Sequence, residues 1–538
     1  MVCRALRSPL ASGRLCDVMN QSDLLDELLS CRLDPGPRKV EPCCVVIFGA
    51  SGDLTARKLI PALYHLHRDK QLPDPIRIVG VARSEKTSDS WRAELKAALD
   101  RHSRTQPVDP AAWAAFAPCV SYCQGDVSVP SSFESLRRHL EEVASPPQSR
   151  RLLFYLAIAP SQFGVTIKQL DQAGFLDNPE SGNGWQRVVI EKPFGHDLAS
   201  ARQLNAELTR HIHERQVFRI DHYLGKETVQ NIMLFRFSNA LFEQLWNRQS
   251  IDHVQITVGE KTGVGSRGAF YEEVGALRDI AQNHLLQVLA LIAMEPPVRL
   301  EAEAIRDEKI KLLDAIRPLT PEQVSALVVR GQYAAGTLDG QAVSAYRGEP
   351  RVDRNSQVET FVALRVAIDN WRWSGVPFFL RSGKRLAHSA SEIRIQFRPT
   401  PHVLFAAQCG PRLDPNSLTL RLQPNEGISL RFNGKVPGPT MEIRPVRMHF
   451  SYNAEFGAYT PEAYERLLLE AMAGDPTLFI RRDEVEASWN VVDPIRAAWA
   501  HHPLTDRDFY PAGSWGPPAA NELLAATGHA WRNPAPEA

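Results

Sequence analysis

The stretch FRIDHYLGKETVQN, Phe218 to Asn231, places Asp221, His222, Tyr223 and Lys226 within six positions. An acid, an imidazole, a phenol and an ammonium offer one acceptor and several donors of different reach, a set that suits a polyol carrying a phosphate. The same residues also describe a solvated helix entrance, and the stretch alone does not separate the two. If the turn is helical, His222 and Lys226 share a face close to a helix N-terminus, where anions are favoured.

Two further clusters carry chemistry. EKPFG puts Glu191 and Lys192 directly after the apolar VVI, where a charged pair needs water or a ligand. Pro193 restricts Lys192 to an extended backbone, and its own peptide bond is open to the cis form. SRGAFYEEVGALRDIAQNHLLQVLALIAMEPP reads as one long helix ending at paired prolines, with Asp279, Asn283 and His284 set in an apolar run. A lone histidine there is ordinarily a hydrogen-bonded core residue, whereas three polar groups close together describe a lined cavity. An imidazole titrating near neutrality is suited to accept a proton.

The elements that must position these residues begin with CCVVIFGASGDLTARKLIPALYHLHRD, a strand, a tight glycine turn and a basic amphipathic helix. Gly49 and Gly52 permit close ligand approach, Ser51 offers a hydroxyl, and the helix behind them aims free amides at whatever sits above the turn, as a pyrophosphate requires. The spacing is Gly-x-x-Gly, short of the full dinucleotide fingerprint, so a purely structural turn is the alternative. IRIVGVARS is the second strand, and Arg83 at its end favours the 2′-phosphate of NADP over the ribose of NAD, unless it caps a surface strand. RLLFYLAIAPSQF and WQRVVIEKPFGHDLASARQLN supply a third and a fourth strand with their helices, which makes a doubly wound parallel sheet. EKPFG then lies at a carboxyl edge, where such sheets bind ligands. From about residue 221, HVQITVGE, TFVALRVAID, PFFLRSGKRL, EIRIQFRP, LTLRLQP and GISLRFNG alternate polar and apolar residues, as in a mostly antiparallel sheet with one wet face.

At 538 residues, two large domains or three to four smaller ones fit. Lysine plus arginine equals aspartate plus glutamate at 62 each, so there is no overall pull toward nucleic acid or an anionic membrane, and any anion site is local. LLQVLALIAM is too short to span a bilayer. Eight scattered cysteines form neither a disulfide framework nor a zinc spacing, which favours reduced, cytoplasmic thiols and no metal. The arginine-rich start lacks the apolar core of a secretory signal and reads as a disordered extension, with Met19 the alternative start and a targeting peptide the rival reading. The expected division is an extension over 1–41, a dinucleotide domain over 42–220, a β+α domain over 221–520 and a C-terminal tail over 521–538.

GASGDL, EKPFG, RIDHYLGKE and ALRDIAQNHLLQ, in this order and spacing, resemble the glucose-6-phosphate dehydrogenase family from about residue 42 to 520. The resemblance implies an NADP-binding Rossmann domain followed by a β+α domain on a large antiparallel sheet, assembled as a homodimer or homotetramer through that sheet. The implied reaction is oxidation of glucose 6-phosphate to 6-phosphogluconolactone, the entry to the pentose phosphate pathway. His222, Tyr223 and Lys226 would hold the sugar phosphate, with His284 the base and Asp221 its orienting carboxylate. Glu260 and Asp279 would accept sugar hydroxyls, Lys192 would bridge sugar and nicotinamide, and Lys384 and Gln423 would complete the substrate contacts. The coenzyme would rest on Gly49, Ser51, Gly52, Asp53 and Leu54, with Lys58, Arg83, Tyr155 and Lys192 around it.

Some members hold a second, structural NADP near RSGKRLAHSASEIRIQF and RLQPNEGISLRFNGK, but Ser389 and Ser429 replace basic or aromatic residues there, and that site is not expected. Two other readings stand beside this one. An oxidoreductase using Glu-Lys-Pro on unphosphorylated sugars would leave DHYLGK idle, and a non-catalytic paralogue would have lost the base or the lysine.

Overall fold

The computed structural model describes residues 40–146, 148–177, 182, 184–401, 404, 413–457 and 461–534. The extension expected over 1–41, including Met19, lies outside the described residues except for its last two. Glu41 among these binds Arg151 at 2.7 Å.

Five short strands with near-continuous apolar sequence, β1 (Cys44–Phe48), β2 (Arg77–Ala82), β3 (Val120–Gln124), β4 (Arg151–Leu156) and β5 (Trp185–Ile190), join β6 (Val217–Ile220) in a parallel sheet ordered β6-β5-β4-β1-β2-β3. Burial on both faces explains the continuous apolar runs. Sequence order reverses across β1, whose neighbours are β2 on one side and β4 on the other. A crevice at the carboxyl ends of β1 and β4 follows from that reversal. The EKPFG segment follows the fifth strand, not the fourth, because VSYCQ is itself a strand. It lies on the sheet's edge, so its alternating polar residues carry no long apolar run.

A second sheet contains β7 (Ile251–Gly259), β8 (Val328–Ala334), β11 (Phe361–Val366), β12 (Phe378–Gly383), β13 (Ala390–Phe397), β14 (Ser417–Gln423), β15 (Gly427–Lys435), β16 (Ile443–Ser451) and β18 (Phe509–Pro511), while β9 (Gly336–Leu338) and β10 (Gln341–Val343) form a separate hairpin. The order is β16-β15-β14-β13-β7-β12-β11-β8-β18, mostly antiparallel but parallel at β7–β12 and β8–β18. The remaining strand, β17 (Phe479–Ile480), returns to the first sheet and pairs with β6.

A single wet face along the large sheet is not what forms. Only β15 and β16 stay largely open, and β7 and β12 are buried on both faces. The helical segment of residues 268–293 covers one side. On the other, the residues read as a tail from 521 fold over the polar side chains: Gln255 donates to the Ala530 carbonyl at 2.9 Å, and Arg381, bonded to Asn533 at 2.8 Å, lies 4.2 Å from the Trp531 ring centre.

The segment expected as one long helix is three. The helix Gly268–Ala276 breaks at Gly275 (φ 66°, ψ 173°), a π-helical segment Leu277–Leu285 follows, and the helix Leu286–Ala293 ends before the paired prolines. Asp279 and His284 lie in the π-helical part, which packs on β7, β11 and β12.

Candidate active site

At the end of β1, Gly49 adopts φ +91° and its amide donates to the Val81 carbonyl at 2.9 Å. A Cβ there would sit 2.1 Å from the Ala157 carbonyl oxygen, so only glycine lets the turn pass between β2 and β4. Gly52 closes the turn onto the Gly49 carbonyl at 2.9 Å, and the helical residues begin at Asp53 and Leu54. Free helix-start amides therefore face the crevice, the arrangement that receives a pyrophosphate. Ser51 is exposed at its lip, and Arg83 is exposed just past β2. Lys58 reaches Glu462 at 3.0 Å. Tyr155 is placed differently from expectation: it is fully buried in β4 and its hydroxyl donates to Glu191 at 2.5 Å, so it presents nothing to a ligand. Its strand is buried on both faces, so either side of the pleat would bury it.

The other clusters converge on one cavity of about 560 Å³. It is lined by Lys192 from the end of β5, His222, Tyr223 and Lys226 from the turn after β6, and Glu260 from the end of β7. Asp279 and His284 come from the π-helical segment, Lys384 follows β12, and Gln423 ends β14. The turn after β6 is not helical, since Lys226 is extended (φ −76°, ψ 131°) and the helix Glu227–Phe237 starts after it. His222 and Lys226 reach one cavity through this turn. Gly225 is pressed on the Ala463 carbonyl, where a Cβ would approach to 2.8 Å.

The floor of the cavity is a hydrogen-bonded chain. Asp221, 1% exposed, accepts from His284 Nδ1 at 2.5 Å and from the Tyr223 amide at 3.0 Å. With Nδ1 donating, Nε2 holds the lone pair, and it accepts from the Lys192 ammonium at 3.0 Å. Lys192 also donates to the Asp279 carbonyl at 2.9 Å and to its carboxylate at 3.0 Å. Tyr223 stacks on the His284 ring at 4.3 Å, and His222 meets it edge-on at 4.5 Å. The Asp221, His222 and His284 donor atoms lie within 4.8 Å of one another, but both nitrogens of His284 are already engaged in this chain.

Electrostatics follow from burial and pairing. Burial holds the His284 imidazole below its ordinary pKa against the pull of Asp221, so the neutral base is favoured. Burial would raise Asp221, but its pairing with His284, with Lys192 nearby, holds it well below the carboxylate range. Burial holds His222 well below its ordinary pKa, and burial brings Lys226 down to about 8. Asp279, which burial would raise, is held at about 2 by Lys192 and then Lys384. Toward the mouth, Lys226 binds Gln423 at 2.6 Å and lies 3.5 Å above the Tyr223 ring, while Lys384 binds Glu260 at 2.7 Å.

The glucose-6-phosphate dehydrogenase C-terminal domain family model matches residues 233–532, and the NAD binding domain model of that enzyme matches residues 46–231. The chain belongs to the glucose-6-phosphate dehydrogenase family. The glucose-6-phosphate 1-dehydrogenase of Chlamydia pneumoniae is 46% identical over 500 residues, covering 92% of this chain and 97% of the relative. Glucose-6-phosphate 1-dehydrogenase 2 of Mycobacterium tuberculosis (strain H37Rv) is 45% identical over 499 residues, covering 93% and 96%. A solved glucose-6-phosphate dehydrogenase in complex with glucose-6-phosphate superposes with a TM-score of 0.82 at 37% identity, covering 92% of this chain and 99% of the other.

Sequence reasoning missed Arg267, Phe270 and Ser391 in the family cavity, together with Tyr464, whose hydroxyl donates to Glu191 at 3.1 Å. Arg267 and Phe270 stand in the quoted SRGAF run, but nothing local separates them from surface residues. Tyr464 reaches the first sheet from residues far along the chain.

Proposed function

We infer that the chain oxidises D-glucose 6-phosphate to 6-phospho-D-glucono-1,5-lactone with NADP, as a member of its family. NADP, when bound, supplies the hydride acceptor. The turn at β1 fits such a group: Gly49 keeps the backbone low between two strands, helix-start amides face the crevice, and Arg83 is exposed at the end of β2. Gly49, Ser51, Gly52, Asp53 and Leu54 would hold its pyrophosphate side, with Arg83 on the 2′-phosphate. Lys58, tied to Glu462, is a weaker candidate for that role.

The observation that carries the mechanism is the Asp221–His284–Lys192 chain. The sugar's anomeric hydroxyl takes the place of the Lys192 ammonium at Nε2, and His284 removes its proton there. Asp221 fixes the tautomer and stabilises the imidazolium that forms. Lys192 keeps its two bonds to Asp279 and stays within reach of the reacting carbon. His222, Tyr223 and Lys226 receive the phosphate, and Glu260, Asp279, Lys384 and Gln423 surround the sugar. Buried, charge-assisted contacts of this kind discriminate strongly against a substrate lacking the phosphate.

We propose the division of the described chain at about residue 220, with 42–220 carrying the coenzyme and 221–520 the sugar. We also propose a cytoplasmic homodimer or homotetramer formed through the open face of β15 and β16, where Val446 and Met448 are exposed. No helix among the described residues is long and apolar enough to cross a membrane. The deciding experiment is a steady-state assay with glucose 6-phosphate and glucose, each with NADP and NAD. Efficient NADP reduction with glucose 6-phosphate and little with glucose is expected, and equal use of the two sugars would overturn the phosphate assignment.

A further inference from the structure

The π-helical segment that carries Asp279 and His284 starts at the Gly275 break, and its first amides are not capped from within the helix. The Ala276 amide donates to the Glu359 backbone carbonyl at 3.0 Å, and the Leu277 amide donates to the Glu359 carboxylate at 3.0 Å. One residue from the loop before β11 thus satisfies two orphan donors, and its negative charge sits at the positive end of the segment. The fit leaves no slack: a Cβ on Gly275 would lie 2.4 Å from a Glu359 carboxylate oxygen.

The next residue holds the opposite wall. The Thr360 carbonyl accepts from the Lys384 amide at 3.0 Å, and the Thr360 amide is fixed to the Gly331 carbonyl at 2.7 Å. The Tyr510 hydroxyl secures the Lys384 carbonyl at 2.7 Å. Two consecutive residues therefore set the start of the segment bearing the base and the backbone of Lys384, on two sides of one cavity. Burial pushes the Glu359 carboxyl up, and the Leu277 hydrogen bond offsets part of that rise.

We propose that Glu359 is a positioning residue for the reaction: it caps the segment carrying Asp279 and His284 and locks that segment in register with Lys384. The inference rests on the reading of His284 as the base. Glu359 does not line the cavity, and it acts through the placement of Nε2, where a shift of an ångström is costly.

The test compares Glu359→Ala with Glu359→Gln in the full chain, measuring kcat per folded molecule, both KM values and Tm. Loss of the cap in Glu359→Ala should lower kcat by ~10-fold with KM for NADP within about twofold, because misplacing a reacting group costs rate before it costs coenzyme binding. Glu359→Gln keeps an oxygen acceptor at the same reach and should recover kcat to within about threefold of the parent. If Glu359→Ala does not fold, Glu359→Asp, retracted by one methylene, should show the same kcat loss. A kcat per folded molecule within about twofold of the parent for Glu359→Ala or Glu359→Asp would overturn the proposal. So would Glu359→Gln being as impaired as the alanine variant. Failure of the underlying reading looks different, since the parent itself would then not depend on His284.

Discussion

At the end of β1 the chain offers a ligand mainly backbone. Gly49 and Gly52 shape a turn, helix-start amides line it, and the side chains around it are exposed or engaged elsewhere. At the floor of the cavity it offers side chains: Asp221 and His284 are each 1% exposed, and Lys192 and Asp279 complete a closed set of charges. A backbone site spreads its affinity over many weak donors and tolerates loss of one side chain. A buried charged set concentrates its effect, because removing one member leaves the others unpaired in a low dielectric. Single substitutions should therefore be severe in the cavity and mild in the crevice.

The largest expected effect is on the base. His284→Asn keeps size and polarity but removes the proton acceptor, and kcat should fall by at least ~100-fold with glucose 6-phosphate binding within a few-fold. Asp221→Asn should show a related loss, and the double variant should lose no more than about the worse single, since the pair acts as a unit. Near-normal turnover in a folded His284→Asn enzyme would return the residue to the core.

Next comes the phosphate end. Lys226→Ala removes a charged hydrogen bond of about 1.5–3 kcal/mol, so KM for glucose 6-phosphate should rise roughly 10- to 100-fold with kcat little changed. Unchanged KM would mean that the phosphate binds elsewhere.

The same lysine gives a pH signature. Its pKa in the folded chain is about 8, below the ordinary 10.5, because burial disfavours the ammonium. The free enzyme loses that charge as pH rises through 8, and KM for glucose 6-phosphate should climb by about eightfold between roughly pH 7.5 and 9. Stability moves the other way, since between the two pKa values the unfolded chain binds more protons and unfolding becomes harder as pH rises. Lys226→Arg does not titrate in this range and should flatten the KM profile; a profile unchanged in that variant would assign the limb to another group.

The mildest effect tests the crevice. Arg83 is exposed, so its contact with a 2′-phosphate is screened, and Arg83→Ala should cost NADP only about fivefold more than NAD in kcat/KM. A loss as large as that at Lys226 would erase the distinction between the two sites, and equal losses with both coenzymes would make the arginine structural.

The crevice was readable because its cause is local. A buried parallel strand announces itself as CVVIF, and a glycine turn before a helix needs no distant partner. The residues of the cavity were readable through their spacing, but not the geometry that joins them. The glycine inside EEVGALRD did not by itself place the break, because the partner that requires a glycine there, Glu359, which occupies the space a side chain at 275 would need, lies 84 residues on. Whether the turn after β6 is helical was open in the sequence, because the extended Lys226 and the seat of Gly225 against Ala463 depend on a segment far along the chain. Tyr155 joined the coenzyme residues through the resemblance alone, and only the folded chain shows its hydroxyl on Glu191.

The late return of β17 to β6 has a consequence for how the protein is made. The sheet that opens at Cys44 gains its last strand only when Phe479 and Ile480 have left the ribosome. Until then β6 presents an unpaired edge, Arg187 lacks the Ala471 carbonyl it binds at 3.0 Å, and the Phe194 carbonyl waits for the Trp489 indole, 3.0 Å away in the finished chain. An open edge is a template for pairing with other chains, so the nascent protein carries that liability through synthesis of every strand of the large sheet but β18. The coenzyme half is therefore no autonomous module: cut after residue 220 it keeps its glycine turn but not its closing strand, and making it in isolation calls for grafting the segment around β17 back onto it.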